Sequence, residues 1–100
     1  VQPADEKERN TLPVPHNEAV RVVHAAAPAG LGAWCSLDWQ SYYHSFMRSE
    51  RSKRWSERQI AFIGLLCGIA QGNLEKTMSK SVCTDKNRET VSRLLIRAKP

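Results

Sequence analysis

Apolar positions recur at helical spacing along most of this chain. Trp39, Tyr42, Tyr43 and Phe46 fall at i, i+3, i+4 and i+7, the stripe of an amphipathic helix. Ser36 is placed to cap that helix, with Asp38 in its first turn. The aromatic stripe reads either as half of the core or as a face for a partner, because Tyr and Trp bury large areas and keep a polar tip. A second helix starts at Ser56 and Gln59, a capping box, with Trp55 ahead of the cap able to staple onto Ile60. From Ile60 to Met78 apolar residues fall on nearly every side: Ile60, Ile63, Cys67, Ala70 and Leu74 share one stripe, and Phe62, Leu66 and Ile69 another. A helix of that kind is enclosed by neighbours or used in association. Gly64, Gly68 and Gly72 recur every four residues and would let another backbone approach closely, in return for roughly 1 kcal/mol each against Ala. A third helix follows Cys83, capped by Thr84 or Asp85, with Val91, Leu94, Leu95 and Ala98 as its buried stripe.

Ahead of these helices the pattern weakens. A short helix is predicted over Glu18 to Ala27, capped by Asn17 and ended by Pro28. Pro28, Ala29, Gly30, Leu31 and Gly32 then read as a turn. Residues 1–16, with Pro3, Pro13 and Pro15 in a polar stretch, read as an extended or disordered arm. The expected organisation is an arm over 1–16 and one helical domain over 17–100, with its compact bundle over about 33–100. The fold class is all-α: a small three- to four-helix bundle with one disulfide and an N-terminal arm, the default for its last three helices being up-down-up.

A length of 100 residues and 11.3 kDa leaves room for a single domain, and 41% hydrophobic with 25% charged residues is ordinary globular composition. The longest apolar run, Ile60 to Ala70, is about half of what a spanning helix needs, so no transmembrane segment is expected. The chain starts at Val1, as removal of an export signal would leave it, although trimming for other reasons would look the same. Charge is unevenly spread. Residues 1–24 carry −1 and the rest carries +6 of the overall +5. The densest basic stretch runs from Arg48 to Arg58, with Arg48, Arg51, Lys53, Arg54 and Arg58 against Glu50 and Glu57. It reads as a solvated connector or as a contact for an acidic partner, phosphate or anionic lipid.

In an up-down-up arrangement the helices after Cys35 and after Cys83 start at the same end. The expectation is a Cys35–Cys83 disulfide closing a loop of about 49 residues and contributing about 4 kcal/mol in the chain-entropy model. Such a bond implies an oxidising compartment, periplasmic or extracellular, and leaves Cys67 as a core thiol. The alternative is three reduced cysteines in a cytoplasmic protein. Catalytic patterns are missing: there is no Gly-rich phosphate loop, Cys-x-x-Cys, His-Glu-x-x-His or Gly-x-Ser-x-Gly. His16, His24 and His44 lie in separate segments at no usual metal spacing. A Cys35 and His44 nucleophile pair would sit on different turns with no orienting third group. No enzyme activity, cofactor, metal or small-molecule substrate is therefore expected.

Two resemblances bear on function. The run Arg88, Glu89, Thr90, Val91, Ser92, Arg93, Leu94, Leu95 resembles the recognition helix of the catabolite-activator family of bacterial transcription factors. That likeness implies base and phosphate contacts from Arg88, Glu89 and Arg93. The segment Gly64-Leu-Leu-Cys-Gly68-Ile-Ala-Gln-Gly72, then Cys83-Thr84 and the helix through Val91 to Leu95, is similar to small periplasmic amidase-immunity proteins of type VI secretion systems. Over residues 60–100 it implies a helical, disulfide-bonded, non-catalytic protein that blocks a toxin by occupying its active site; no inhibitory residue carries over individually.

The expected function is thus that of a non-catalytic, exported helical protein that binds a protein partner, as an accessory subunit of an envelope complex or as an inhibitor or immunity protein. Trp34, Trp39 and Tyr43 are the candidate aromatic anchors, and Arg48, Arg51 and Arg54 the candidate basic contacts. The alternative is a cytoplasmic DNA-binding protein reading duplex through the helix over 85–97, with steeply salt-dependent affinity.

Overall fold

The computed structural model describes residues 12–100. They form four helices: α1 His16–Trp34, α2 Trp39–Arg51, α3 Glu57–Met78 and α4 Asp85–Ala98. The fold is all-α, and there is no strand among the described residues. Most of the expected arm, residues 1–11, lies outside the described residues. Its last residues are packed: Val14 is buried in the core, and the Pro13 carbonyl accepts a 2.9 Å hydrogen bond from Gln59 Nε2 on α3.

The first helix departs most from expectation. It begins at His16, with Pro15 at the cap position and no side-chain cap, and it runs through Pro28 and the predicted turn to Trp34. Proline removes one i to i−4 bond, whose acceptor here belongs to the exposed residue His24. Three alanines before Pro28 and one after it favour the helix locally. The glycines that looked like turn residues are close-approach points. A Cβ on Gly30 would stand 2.9 Å from the Gln71 carbonyl oxygen of α3, and one on Gly32 would stand 3.0 Å from Leu95 Cδ1 of α4. Tertiary contact with two other helices thus outweighs the turn propensity of Pro-Ala-Gly-Leu-Gly.

The remaining starts follow local chemistry. Asp38, not Ser36, caps α2, its carboxylate accepting from Ser41 N at 3.0 Å. Ser36 lies in the left-handed turn between α1 and α2, at φ 56°. The capping box of α3 is closed in both directions: Gln59 N donates to Ser56 Oγ at 3.1 Å, and Ser56 N donates to Gln59 Oε1 at 2.8 Å. Trp55 and Ile60 both pack against the core. Thr84 caps α4, accepting from Asn87 N at 3.1 Å. On α4, Val91 and Leu95 are buried and Leu94 is half-buried, while Ala98 is exposed.

The last three helices do not make a self-contained bundle. All three are gathered around α1, and the backbones of α3 and α4 do not pack closely on each other. The compact part of the chain therefore includes the helix before residue 33. α1 can be central because Ala19, Ala26, Ala29, Gly30 and Gly32 make up most of its buried surface, with Val22 and Pro28 the larger residues, and small side chains let neighbours approach closely. One core cluster forms where α1, α2 and α3 meet, around Val22, Phe46, Met47, Ile63 and Cys67. A second, where α1, α2 and α4 meet, holds Ala29, Tyr42, Val91 and Leu95 with Cys35. Cys35 and Cys83 form the expected bonded pair there, with Cα atoms 5.3 Å apart. Cys67 is a free, buried cysteine, and burial pushes its thiol up to about 11.

Candidate functional site: the basic corner and outer face of α3

The candidate contact residues are divided between the two ends of α2. At its N-terminal end, Trp34 and Trp39 are half-buried against the disulfide cluster. The Trp34 Nε1–H donates to the Ser81 carbonyl at 2.9 Å, which ties the α3–α4 connection to α1. Trp39 meets Tyr43 edge-on, with ring centroids 6.4 Å apart, and Tyr43 packs on the first cluster. These three rings spend much of their surface on internal packing. Arg48, Arg51 and Arg54 lie at the other end, about 18 Å along the helix from Trp39 to Arg51. All three are exposed.

The backbone that carries those arginines is fixed from below by Glu50, which faces inward and is 1% exposed. Arg21 of α1 reaches it with both terminal nitrogens, Nη2 to Oε1 at 2.6 Å and Nη1 to Oε2 at 3.2 Å. Lys53 Nζ stands 3.0 Å from Oε2, and Trp55 Nε1–H donates to Oε1 at 3.2 Å. Glu18 holds the other edge of the guanidinium through Arg21 Nε at 2.6 Å. Burial by itself would raise the Glu50 carboxyl, but its hydrogen bonds to Arg21 and Lys53 outweigh that and hold it below the usual range. Chiefly through its hydrogen bond to Glu50, the Arg21 guanidinium is correspondingly raised. None of the exposed arginines 48, 51, 54 or 58 has a carboxylate partner among the described residues.

In the sequence Glu50 reads as one of the surface charges of the basic stretch. Its i+5 relation to Trp55 was the available hint, but its main partner is 29 residues away and leaves no local signal.

α3 is covered on one side only. Ile63, Cys67 and Gln71 are buried, whereas Leu65 is 63% and Ile69 52% exposed. Gly68 and Gly72 have nothing within 4 Å of where a Cβ would be, and Gly64 makes only ordinary contact with Met47 and Tyr43. The close approach predicted for this glycine row is thus not made among the described residues; α1 uses Gly30 and Gly32 for that purpose. Arg58, Leu65 and Gly72 recur at i, i+7 and i+14, so the basic corner runs directly into this outer face.

On α4, Arg88, Glu89 and Arg93 are all exposed, and Glu89 is ion-paired with Arg93. A helix-turn-helix packs its recognition helix on the helix before it, whereas α4 rests on α1 and α2 and its backbone does not pack closely on that of α3. Two clefts adjoin α4. One of about 360 Å³ lies between α2 and α4 and includes Asp38, Ser41, Tyr42 and Ser92. In it the Asp38 carboxyl is held low by Ser41, through the hydroxyl and then the backbone N–H, so each of its oxygens already accepts one bond in capping α2. The other, about 310 Å³, lies among Leu31, Trp34, Met78, Asn87 and Val91. Among the described residues no three His, Cys, Asp or Glu side chains come together to hold a metal ion, and no helix is long and apolar enough to cross a membrane.

No protein-family model, curated protein or solved structure matches this chain.

Proposed function

We propose that this protein is non-catalytic and acts by binding another protein, in an oxidising compartment such as the periplasm, as an accessory subunit or an inhibitor. The observation that carries this reading is the outer face of α3. Gly68 and Gly72 each weaken the helix by about 1 kcal/mol relative to Ala, and no contact among the described residues requires either of them to lack a side chain. Leu65 and Ile69 stand exposed beside them. Glycines on an exposed face with bulky apolar neighbours form a shallow groove suited to a closely approaching helix. The Cys35–Cys83 pair supports the compartment. The likeness of residues 60–100 to amidase-immunity proteins points to the same class of activity.

The test is recovery of the protein from its native source with its partner, compared with Gly68→Leu and Ile69→Asp variants. Stoichiometric copurification of one protein, lost in both variants while their helical content and melting temperature are kept, is the expected result. A monomeric protein that copurifies with nothing, or a complex indifferent to both variants, would reject this reading.

A further inference from the structure

We propose that the corner between α2 and α3 selects the partner by charge: Arg48, Arg51, Arg54 and Arg58 receive a carboxylate-rich protein segment that continues into an apolar stretch lying on Leu65 and Ile69. This rests on the protein-binding reading above and specifies the partner's chemistry. Residues 48–58 contain two acids, but the fold removes one from the surface. Glu50 is turned inward onto Arg21, Lys53 and Trp55. Glu57 is then the one exposed carboxylate beside four exposed arginines. The lysine of this segment is ion-paired with Glu50, whereas the segment's cations without a carboxylate partner among the described residues are all guanidiniums, whose planar fork matches a carboxylate in two-point contact. The backbone that carries them is preset: Lys53 N donates to the Glu50 carbonyl at 3.1 Å, and the Ser56 and Gln59 capping box fixes where α3 begins, so binding has to order the arginine side chains and not the chain beneath them.

Other polyanions fit less well. A single-stranded nucleic acid needs aromatic faces for its bases, and the ring at this corner, Trp55, is packed on the core with its N–H committed to Glu50. An anionic membrane surface needs a broad apolar face, but the face continuous with these arginines has two glycines between its large side chains. A second copy is disfavoured because Arg58 and Lys76 lie near the two ends of the outer face. Parallel or antiparallel pairing of α3 with itself would set cation against cation.

The probe is a pair of synthetic amphipathic helical peptides with the same Leu/Ala ridge, one ending in four Glu and the other in four Gln. Affinity for the full-length oxidised protein is read by fluorescence anisotropy. The Glu peptide should bind at least tenfold more tightly than the Gln peptide. Its affinity should fall at least tenfold in the R48E/R51E/R54E variant and with added salt, and should be unchanged in R88A/R93A. Equal affinity for both peptides, or an unaffected triple variant, overturns the acid preference. If Ile69→Asp still abolishes binding in that case, the protein-binding reading stands alone; if it does not, both fail. No binding of either peptide, or tighter binding of duplex DNA or phosphatidylglycerol vesicles through the same arginines, also overturns the proposal. Melting temperatures of all variants show that losses are not unfolding.

Discussion

Arg21 and Glu50, 29 residues apart, meet across the α1–α2 junction through two hydrogen bonds of 2.6 and 3.2 Å, with the carboxylate almost fully out of solvent. This pair joins the central helix to the end of the helix that carries the basic corner. Removing one partner of a buried pair leaves a charge without compensation, which is more damaging than loss of the attraction itself.

Arg21→Ala should therefore destabilise the protein by about 2–3 kcal/mol, below the largest such effects because Lys53 and Trp55 still reach Glu50. Urea denaturation measures this, and a change under about 0.5 kcal/mol would mean that the pair is energetically idle.

The same carboxylate sets an acid limit. Its folded pKa lies below the ordinary value of 4.5, so its contribution is fully present above that value and is lost as pH falls through the depressed folded pKa. Between about pH 5 and 3 the wild type should lose more stability than Glu50→Gln, in which this group cannot titrate. Parallel melting-temperature profiles for the two proteins would contradict this.

Glycine substitutions should separate by location. Gly68→Ala and Gly72→Ala each face open space and should stabilise the isolated protein by about 1 kcal/mol. Gly30→Ala places a Cβ 2.9 Å from the Gln71 carbonyl oxygen, so α1 and α3 must move apart; a loss of about 1–3 kcal/mol is expected. Thermal melts of the three variants give the comparison, and a stabilised Gly30→Ala would refute the close approach.

Cysteine reactivity should report the fold directly. Iodoacetamide should leave the native protein unlabelled, since Cys67 is buried with its thiol pushed up to about 11. One adduct should form on unfolding without reductant, and three after reduction. Replacing Cys35 and Cys83 together by Ser should lower stability by about 4 kcal/mol in the chain-entropy model. Three adducts on unreduced, unfolded protein would show that the bond is absent.

Local chemistry was legible wherever the interacting groups are neighbours in the chain. The Ser56 and Gln59 box, the Thr84 cap, the aromatic spacing of α2 and the buried Val91 and Leu95 all depend on contacts within one or two turns. The disulfide was an expectation for a related reason, since each cysteine precedes a predicted helix; Cys83 does stand directly before the α4 cap, whereas Cys35 closes α1 a few residues ahead of α2. Pro28 to Gly32 misled because proline and glycine carry strong local signals that four residues of context cannot overrule. Gln71, Leu74 and Leu95 do overrule them, from 41 to 63 positions away.

The sequence by itself determined that this protein is helical and where α3 begins, narrowed the start of α4 to Thr84 or Asp85, and offered Cys35 and Cys83 as the pair, since those outcomes depend on short-range hydrogen bonds and side-chain spacing. Only the tertiary structure decided that α1 is the central helix, that Glu50 faces inward and that Gly68 and Gly72 face out. Each of those depends on which surfaces of separate helices meet. A helix with apolar residues all round carries no local mark of which side its neighbours will cover; α1, by covering one side of α3, left the other available.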